Sequence, residues 1–513
     1  MMTNETTGRK VWSELLLVAE RTQHSQPPAA TQHTGWTPDL DSIGVADLNT
    51  ASHDDLALDF ARAHEYRIRY IPQRKAWAKW TGHRWEVDPA GNATVKELLR
   101  AHMRPIARKR AEDAEDSAMH ARGATPADGR RAYTSTYKAL MSHATHLSIL
   151  GFAESDGRLV TPLSAFDANP YVLNTPGGLV DLRTGEVSEP SAAALVMRST
   201  VYAPDFTMPT PLWDNFIRET YQGDTALIEF VQRMLGVSLL GAQAEQVLLY
   251  MLGTGANGKD TFANIVEGEL GTGPGGYAVT VDSNMLVSAK YQGHPTEIAQ
   301  LAGARMAVTS EVPPGAEFDV AKVKKLTGGG LLSGRFMRGD FFEFEATATL
   351  WIMANDRLAV PATDKAFFRR LREVPFNNVV PPEERISGLD KTILAQEGPG
   401  VLAWMIEGAR KYLAEGLDVP LAVQMANEAY AAEQDTVQHF IDDACSMSVG
   451  AFTPSADLYR SYVQWCSVHR VTPLSAPKFR IKALASPGVT PHRSNTSRGY
   501  SGISIGDAYN VTK

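Results

Sequence analysis

The chain has 513 residues, a formal net charge of −8 and 43% hydrophobic residues, enough for about three globular domains. Its two cysteines, Cys445 and Cys466, have no partners at ligand spacing, which argues against a disulfide framework or a thiolate zinc site and fits a reducing cytoplasm. No stretch approaches the ~18 uninterrupted apolar residues of a membrane span, and the short apolar run Leu15 to Val18 lies between charged residues, unlike a signal peptide.

Residues 1–50 are polar, and "HSQPPAATQHTGWTP" reads as linker or tail. Asp39 and Asp41, two apart in "TPDLDS", read as a solvated loop and not as the paired carboxylates of a primer-synthesising site. Residues 51–205 read as an α+β domain: helical spacing in "DDLALDFARAH", a Trp-rich hairpin in "YRIRYIPQRKAWAKWTGHRWEVD", a charged helix from "TVKELLRAHMRPIARKRAEDAED", and short strands with glycine turns in "PYVLNTPGGLVDLRTGEV". "TPLWDNFIRETYQGDTALIEFVQRMLGVSLLG" is a helical lead-in to the next domain, residues 206–445.

From 245 to 380 strand, glycine turn and helix alternate, which argues for a parallel sheet with helices on it. "QVLLYML" is a buried-strand run, "GTGANGKDTF" a glycine-rich turn, and "TFANIVEGEL" has helical periodicity. This is the context a phosphate loop requires. The residues that would cradle a nucleotide are Gly253, Thr254, Gly255, Ala256, Asn257, Gly258, Lys259, Asp260 and Thr261. Backbone N–H groups and the helix N-terminus would face phosphate oxygens, and Lys259 would reach the outer phosphates of ATP. Asp260 stands where such loops carry the hydroxyl that binds Mg²⁺; a carboxylate is also a hard oxygen ligand, and Thr261 offers a hydroxyl one residue on. The strand "RMAVTSEV" ends at Ser310-Glu311, and Glu311 is placed to activate water and help hold Mg²⁺. "ATLWIMAN" ends in Asn355, at the strand end where ligands of such sheets sit. "AFFRRLREVPF" carries Arg369, Arg370 and Arg372, candidates for a guanidinium that stabilises a transferring phosphoryl group, often from a neighbouring subunit. Between these strands, "GRFMRGDFFEFEA" suggests a hairpin with Arg338-Gly339-Asp340 at its tip. Lys324, Lys325, Arg335 and Arg338 are the basic groups near it, suited to backbone phosphates of single-stranded DNA.

"GVLAWMIEGARKYLAEG" and "ANEAYAAEQDTVQHFIDDACSM" read as one helix each, and the tail, residues 446–513, as two helices and a polar hairpin. From Leu474 onward six Lys and Arg face one acid, Asp507, a local +5 in an acidic chain. Lys478, Arg480 and Lys482 alternate around a short helix, and Arg493 and Arg498 decorate the hairpin, a pattern able to dock DNA by phosphate contacts or to dock a protein.

Taken together, "GTGANGKDTF", "RMAVTSEVPPGAEFDVAKVKKLTGGGLLSGRF", "TLWIMANDRLAVPATDKAFFRRLREVPF" and "GVLAWMIEGARKYLAEGLDVP" resemble, in order and spacing, the AAA+-like ATPase of superfamily three helicases. The similar branch is that of phage and plasmid primase-helicases and the poxvirus primase-helicase. "LNTPGGLVDLRTGEV" resembles the domain preceding the helicase there, and the tail resembles the winged-helix domain behind it. The resemblance implies that Lys259 is the phosphate-loop lysine, Glu311 the acid of the second motif, Asn355 the sensor and Arg370 the arginine finger. It departs from the pattern at Asp260 and at Gly330, where the branch has Asp. It further implies a homo-oligomeric ring, a hexamer moving 3′ to 5′ on single strands.

The expected function is an ATP-driven replicative DNA helicase of a phage, plasmid or similar element, acting on single-stranded and forked DNA beside a separate primase or polymerase. An origin-binding initiator that uses ATP as an assembly switch is the alternative that Asp260 favours. A P-loop enzyme for a small molecule is the third, and it leaves the basic tail without a purpose.

Overall fold

The computed structural model describes residues 51–288, 295–309, 312, 316–336, 340–360, 364–469, 471, 473–493, 497–506 and 509. Glu311 and Arg338, and the whole of 1–50 with Asp39 and Asp41, lie outside the described residues.

The chain divides into two compact units. The described part of the first comprises residues 51–168 and 189–198, and that of the second comprises 169–188 and the described residues from Ser199 onward. The segment "PYVLNTPGGLVDLRTGEV", grouped by its sequence with the first domain, thus packs within the second unit.

In the first unit α1 (His53–His64) starts at a capping box formed by Ser52 and Asp55. The Trp-rich stretch is not a two-strand hairpin but a three-stranded antiparallel sheet of β1 (Ile68–Ile71), β2 (Ala76–Trp80) and β3 (Trp85–Val87). A left-handed residue, Lys75, turns the chain between the first two strands. Trp77 and Trp85 are fully buried. The charged helix α2 (Ala93–Met119) runs 27 residues with Pro105 inside it. It buries the stripe Val95, Leu99, Met103, Ala107 and Ala111 at a spacing of four. Two helices complete the unit, α3 (Pro126–Leu140) and α4 (His143–Ala153).

The second unit opens with an antiparallel sheet of β4 (Val172–Thr175), β5 (Gly178–Asp181) and β6 (Val187–Ser188). The helical lead-in is two helices, α5 (Pro211–Thr220) and α6 (Thr225–Val237), separated by left-handed Gln222 and Gly223 and restarted by the Asp224 cap. In chain order there follow β7 (Leu248–Leu252), α7 (Lys259–Leu270), β8 (Ala278–Thr280), α8 (Pro295–Ala299), β9 (Met306–Thr309), α9 (Val320–Leu326), the hairpin β10 (Leu331–Arg335) and β11 (Phe341–Glu345), β12 (Thr349–Ala354), α10 (Lys365–Phe368) and β13 (Leu371–Pro375).

Five of these strands form one parallel sheet in the order β13-β7-β12-β9-β8, as the alternation of elements predicts. Both faces are buried, so the strands read as continuous apolar runs. Leu249, Met251, Trp351 and Met353 enter one core with α5, α6 and α7, while Leu248, Tyr250, Leu350 and Ile352 enter the other, as period-two alternation requires. A long helix, α11 (Leu389–Glu415), crosses α6 so closely that Cβ atoms added at Gly236 and Gly408 would lie 2.1 Å from Ala409 N and 2.0 Å from Gln232 O.

The segment read as one helix over 426–447 is three elements: the end of α12 (Leu421–Glu433), α13 (Thr436–Ala444) restarted by the Asp435 cap, and the first residues of β14 (Cys445–Pro454). α12 lies against the outer edge of the five-stranded sheet. There the side chain of Asn427 accepts a hydrogen bond from Glu373 N at 2.8 Å and donates one to Leu371 O at 3.0 Å. The chain continues with α14 (Ser455–His469), α15 (Ala476–Ala485), β15 (Thr490–Arg493) and β16 (Arg498–Ile505). The tail therefore has a third strand that its hairpin reading lacks, in the sheet order β14-β16-β15. Phe440, Tyr462, Trp465, Phe479, Tyr500 and Ile503 form its core. Among the described residues no helix is long and apolar enough to cross a membrane.

Candidate functional site

The glycine-rich turn leaves the carboxyl end of β7 and enters α7. Its backbone explains its composition. Gly255 and Gly258 have φ of +108° and +82°, and Ala256 is also left-handed at +54°, a region that favours glycine. A Cβ at Gly253 would lie 1.9 Å from Asn257 Nδ2 and 2.6 Å from Phe376 O. Asn257 is buried and donates to Phe376 O at 2.9 Å, while Val380 N donates to Ala256 O at 2.9 Å. The stretch after β13 thus straps the turn from its far side.

Lys259 is the first residue of α7 and is 5% exposed. Its Nζ donates to Gly253 O at 2.6 Å, to Asn257 Oδ1 at 3.0 Å and to Asn355 Oδ1 at 3.2 Å. Removal of the ammonium from water pushes its pKa below the ordinary lysine value, against the pull of neighbouring Asp260. The sheet order makes the meeting with Asn355 possible, because β7 and β12 are adjacent and parallel, with Leu252 beside Ala354. Asn355 follows Ala354 directly.

Gly255 to Thr261 and Asn355 line a single cavity of about 700 Å³. Asp260 is exposed and Thr261 half-buried on its wall. Apolar side chains also line it, among them Phe216, Val380, Ile386 and Leu389. The sequence reading passes over several polar groups of the lining: Glu219, Arg357, Asn378 and Arg385. Only Arg357 carried a signal, its place two residues after Asn355. At the carboxyl end of β9, Thr309 Oγ1 is buried with no hydrogen-bond partner among the described residues.

The donor set fits an anionic ligand with several oxygens. A helix N-terminus, a turn whose backbone adopts left-handed conformations and a buried amine converge on one wall of the cavity. Among the described residues no three His, Cys, Asp or Glu side chains group as a metal centre. A Mg²⁺ held by Asp260 or Thr261 would complete its shell with phosphate and water oxygens.

The other expected residues lie elsewhere. Arg370 stands at the amino end of β13, where its carbonyl accepts from Leu248 N. Its guanidinium donates to Ala366 O at 2.9 Å and Gln246 Oε1 at 2.8 Å. The length of β13 separates it from the turn, roughly 15 Å. Arg335 is exposed on β10, with its guanidinium 5.1 Å from the Phe341 ring centre. Lys325 is exposed, whereas Lys324 is bound to Asp364 at 2.6 Å. Lys478, Arg480, Arg493 and Arg498 are exposed on the C-terminal module, but Lys482 departs from the expected basic row, because it is paired with Asp435.

Residues 57–222 match the family described as D5 N terminal like. Across about half of this chain two viral proteins are similar. "Putative helicase L207/L206" of Acanthamoeba polyphaga mimivirus is 23% identical over 302 residues, 55% of this chain and 31% of its own length. "Putative helicase 022R" of Frog virus 3 (isolate Goorha) is 24% identical over 270 residues, 48% of this chain and 27% of its own length. The chain thus carries a D5 N terminal like segment and is similar, over about half its length, to two putative viral helicases. It spans less than a third of the length of these curated relatives. A solved structure titled "The A form apo structure of NrS-1 C terminal region-CTR" is 10% identical, with a TM-score of 0.42 over 86% of this chain and 96% of its own. "The apo structure of NrS-1 C terminal region (305-718)" is 9% identical, with a TM-score of 0.43 over 85% and 96%.

Proposed function

We propose that this chain is an ATP-dependent replicative DNA helicase of a virus, plasmid or similar mobile element, working as a ring on single-stranded and forked DNA. The observation that carries this reading is the meeting of Lys259 and Asn355 at one wall of the cavity, beneath the N-terminus of α7.

In this reading the Gly253–Thr261 turn and the α7 N-terminus hold the phosphates of ATP, and the Lys259 ammonium balances charge that builds on the outer phosphates. Bound Mg²⁺ would supply further charge neutralisation, with Asp260 and Thr261 as its candidate protein ligands and Glu311 acting through water. Asn355 orients the attacking water, and Glu311 is its base. Arg370, too far from the turn of its own chain, serves the site of the next subunit.

The β10–β11 hairpin, with Arg335 on it, lies towards the DNA in the ring channel, and Lys325 and Arg338 are further candidate contacts on the sequence reading. The module from α13 onward is a winged helix for DNA, with α15 and the β15–β16 hairpin as its contact elements. A groove of about 1250 Å³ between α14, α15 and the hairpin supports this, since Arg460, Arg480, Arg493 and Arg498 line it and no carboxylate does. Backbone phosphates are the chemistry such a lining matches.

The test is ATP hydrolysis and strand displacement from a forked duplex by the parent, Lys259→Ala and Asp260→Ser. Lys259→Ala is expected to lose at least a hundredfold in both. Parental rates in both variants would remove the site from catalysis. One observation favours the second reading, an ATP-switched initiator with weak hydrolysis: Asp260 puts a negative charge on the cavity wall where a hydroxyl is usual. In that case DNA fails to stimulate the ATPase, and Asp260→Ser raises it.

A further inference from the structure

Arg357 sits on the cavity wall and also reaches away from it. Its guanidinium forms a two-point pair with Glu373 of β13, Nε to Oε2 at 2.9 Å and Nη2 to Oε1 at 2.7 Å. Its remaining arm, Nη1, donates to Glu433 Oε2 at 2.6 Å, at the end of α12. The two pairs differ in kind. The Glu373 side chain is 3% exposed, while that of Glu433 is 52% exposed. The first is a permanent anchor, because a buried charge left alone is costly. The second is solvent-competed and easily exchanged.

The backbone around Arg357 is held to the same helix. Tyr430 Oη of α12 donates to Leu358 O at 2.6 Å, and Val360 N donates to Gln434 Oε1 at 2.9 Å. From the other side Tyr250 Oη of β7 donates to Asp356 O. Any shift of the segment after Asn355 is therefore felt at the end of α12. Beyond Gln434 comes Asp435, which caps α13 through Gln438 N at 3.2 Å and pairs with Lys482 of α15. α15 is the helix that presents exposed Lys478, Arg480 and Ile481. Two ion pairs joined by three consecutive residues thus lead from the cavity wall to the C-terminal module: Arg357 to Glu433, the backbone through Gln434 to Asp435, and Asp435 to Lys482.

We propose that this chain couples the two binding sites, with Arg357 as the positioning residue and Glu433 as its releasable arm, so that nucleotide in the cavity changes the affinity of the C-terminal module for DNA. The proposal rests on the reading of the cavity as a nucleotide site and of the module as a DNA site, and it adds the path between them. The charge balance gives the path its sensitivity. One guanidinium faces two carboxylates and lines a cavity suited to an anion, so a polyanion near Arg357 competes with Glu433 and leaves Glu373 in place. Coupling of this kind is reciprocal: DNA on the module changes nucleotide affinity by the same factor.

The test uses the full chain and a short blunt-ended fluorescent duplex, the probe for the C-terminal module, titrated with and without a non-hydrolysable ATP analogue. The ratio of the two dissociation constants is the coupling factor. Glu433→Gln removes the charged arm and keeps the Glu373 anchor; Asp435→Asn weakens the pair to Lys482 and keeps a cap on α13. In both, the coupling factor is expected to collapse towards one, while affinity for a fluorescent nucleotide alone, affinity for DNA alone and the thermal midpoint stay within about twofold or a few degrees of the parent. Parental coupling in both variants overturns the proposal, and so does a parental factor of one. Absence of nucleotide binding in the parent, read separately, overturns the functional reading beneath it.

Discussion

Glu269 illustrates how much one buried group governs. It lies at the end of α7, fully buried, with neither carboxyl oxygen hydrogen-bonded. Burial pushes its pKa far above the ordinary carboxylate range. The unfolded chain releases this proton near pH 4 and the folded chain keeps it, so stability contributed by the neutral acid is present below about pH 4 and declines as pH rises. The parent is expected to lose stability as pH rises above about 4, with a slope of up to ~1.4 kcal/mol per pH unit from this one proton until the folded carboxyl itself ionises. Glu269→Gln should flatten that slope in urea unfolding, and an unchanged slope would show that the group ionises in the fold. Nothing in the local sequence "IVEGEL" marks Glu269 as inward-facing, because acids at the end of a helix are usually solvated. The same limit applies to Arg357: its partners lie 16 and 76 residues away along the chain, a pairing that only tertiary structure reveals. Lys259 and Asn355 were legible for the opposite reason. Each ends a recognisable strand or opens a recognisable helix, and parallel strands in one sheet bring such ends together.

At the scale of elements, the parallel strands were the easiest to read. Continuous apolar runs bounded by glycine turns have few other interpretations. Helix breaks were harder. Apolar periodicity carries straight across 221–224, yet the chain turns there on left-handed Gln222 and Gly223. The Gln-Gly-Asp run with Asp224 as a cap was the available signal. Likewise Asp435 divides α12 from α13, and Cys445 already belongs to β14. The α6–α11 crossing offers a direct test of packing. Gly236→Ala and Gly408→Ala each drive a methyl into the backbone of the facing helix, so each should destabilise the second unit by about 1–3 kcal/mol or more in urea unfolding. Gly273→Ala, at a glycine with open space around it, is the control for the loss of glycine itself. Its positive φ of +92° adds its own smaller strain. Equal effects at all three positions would mean that the helices can separate without loss.

At the scale of the molecule, Arg370 faces away from the turn of its own chain, at the opposite end of the sheet. In a ring this makes each site composite. Lys259→Ala and Arg370→Ala are each expected to reduce ATPase to below about 1% of the parent, by the 10³-fold order of effect seen when a charge-stabilising arginine is removed. Mixed in equal amounts they should recover a measurable fraction, because some interfaces then join an intact Lys259 to an intact Arg370. Failure to recover would place Arg370 within its own chain's chemistry or outside catalysis. The acidic net charge of the whole says little about partners, whereas the local distribution of charge marks the surfaces on which the DNA reading rests. Even so, the row Lys478, Arg480, Lys482 loses its last member to Asp435, since charge counted along a sequence does not reveal internal neutralisation.

The Asn427 amide on the outer edge of β13 has a consequence for assembly. By accepting from Glu373 N and donating to Leu371 O, it occupies the two backbone groups that an incoming strand would seek there. That border of the sheet is sealed by a side chain imitating a neighbour. Copies of the chain cannot zip together along that border by continuing the sheet, so any partner that meets it there is met by side chains rather than by a backbone ladder.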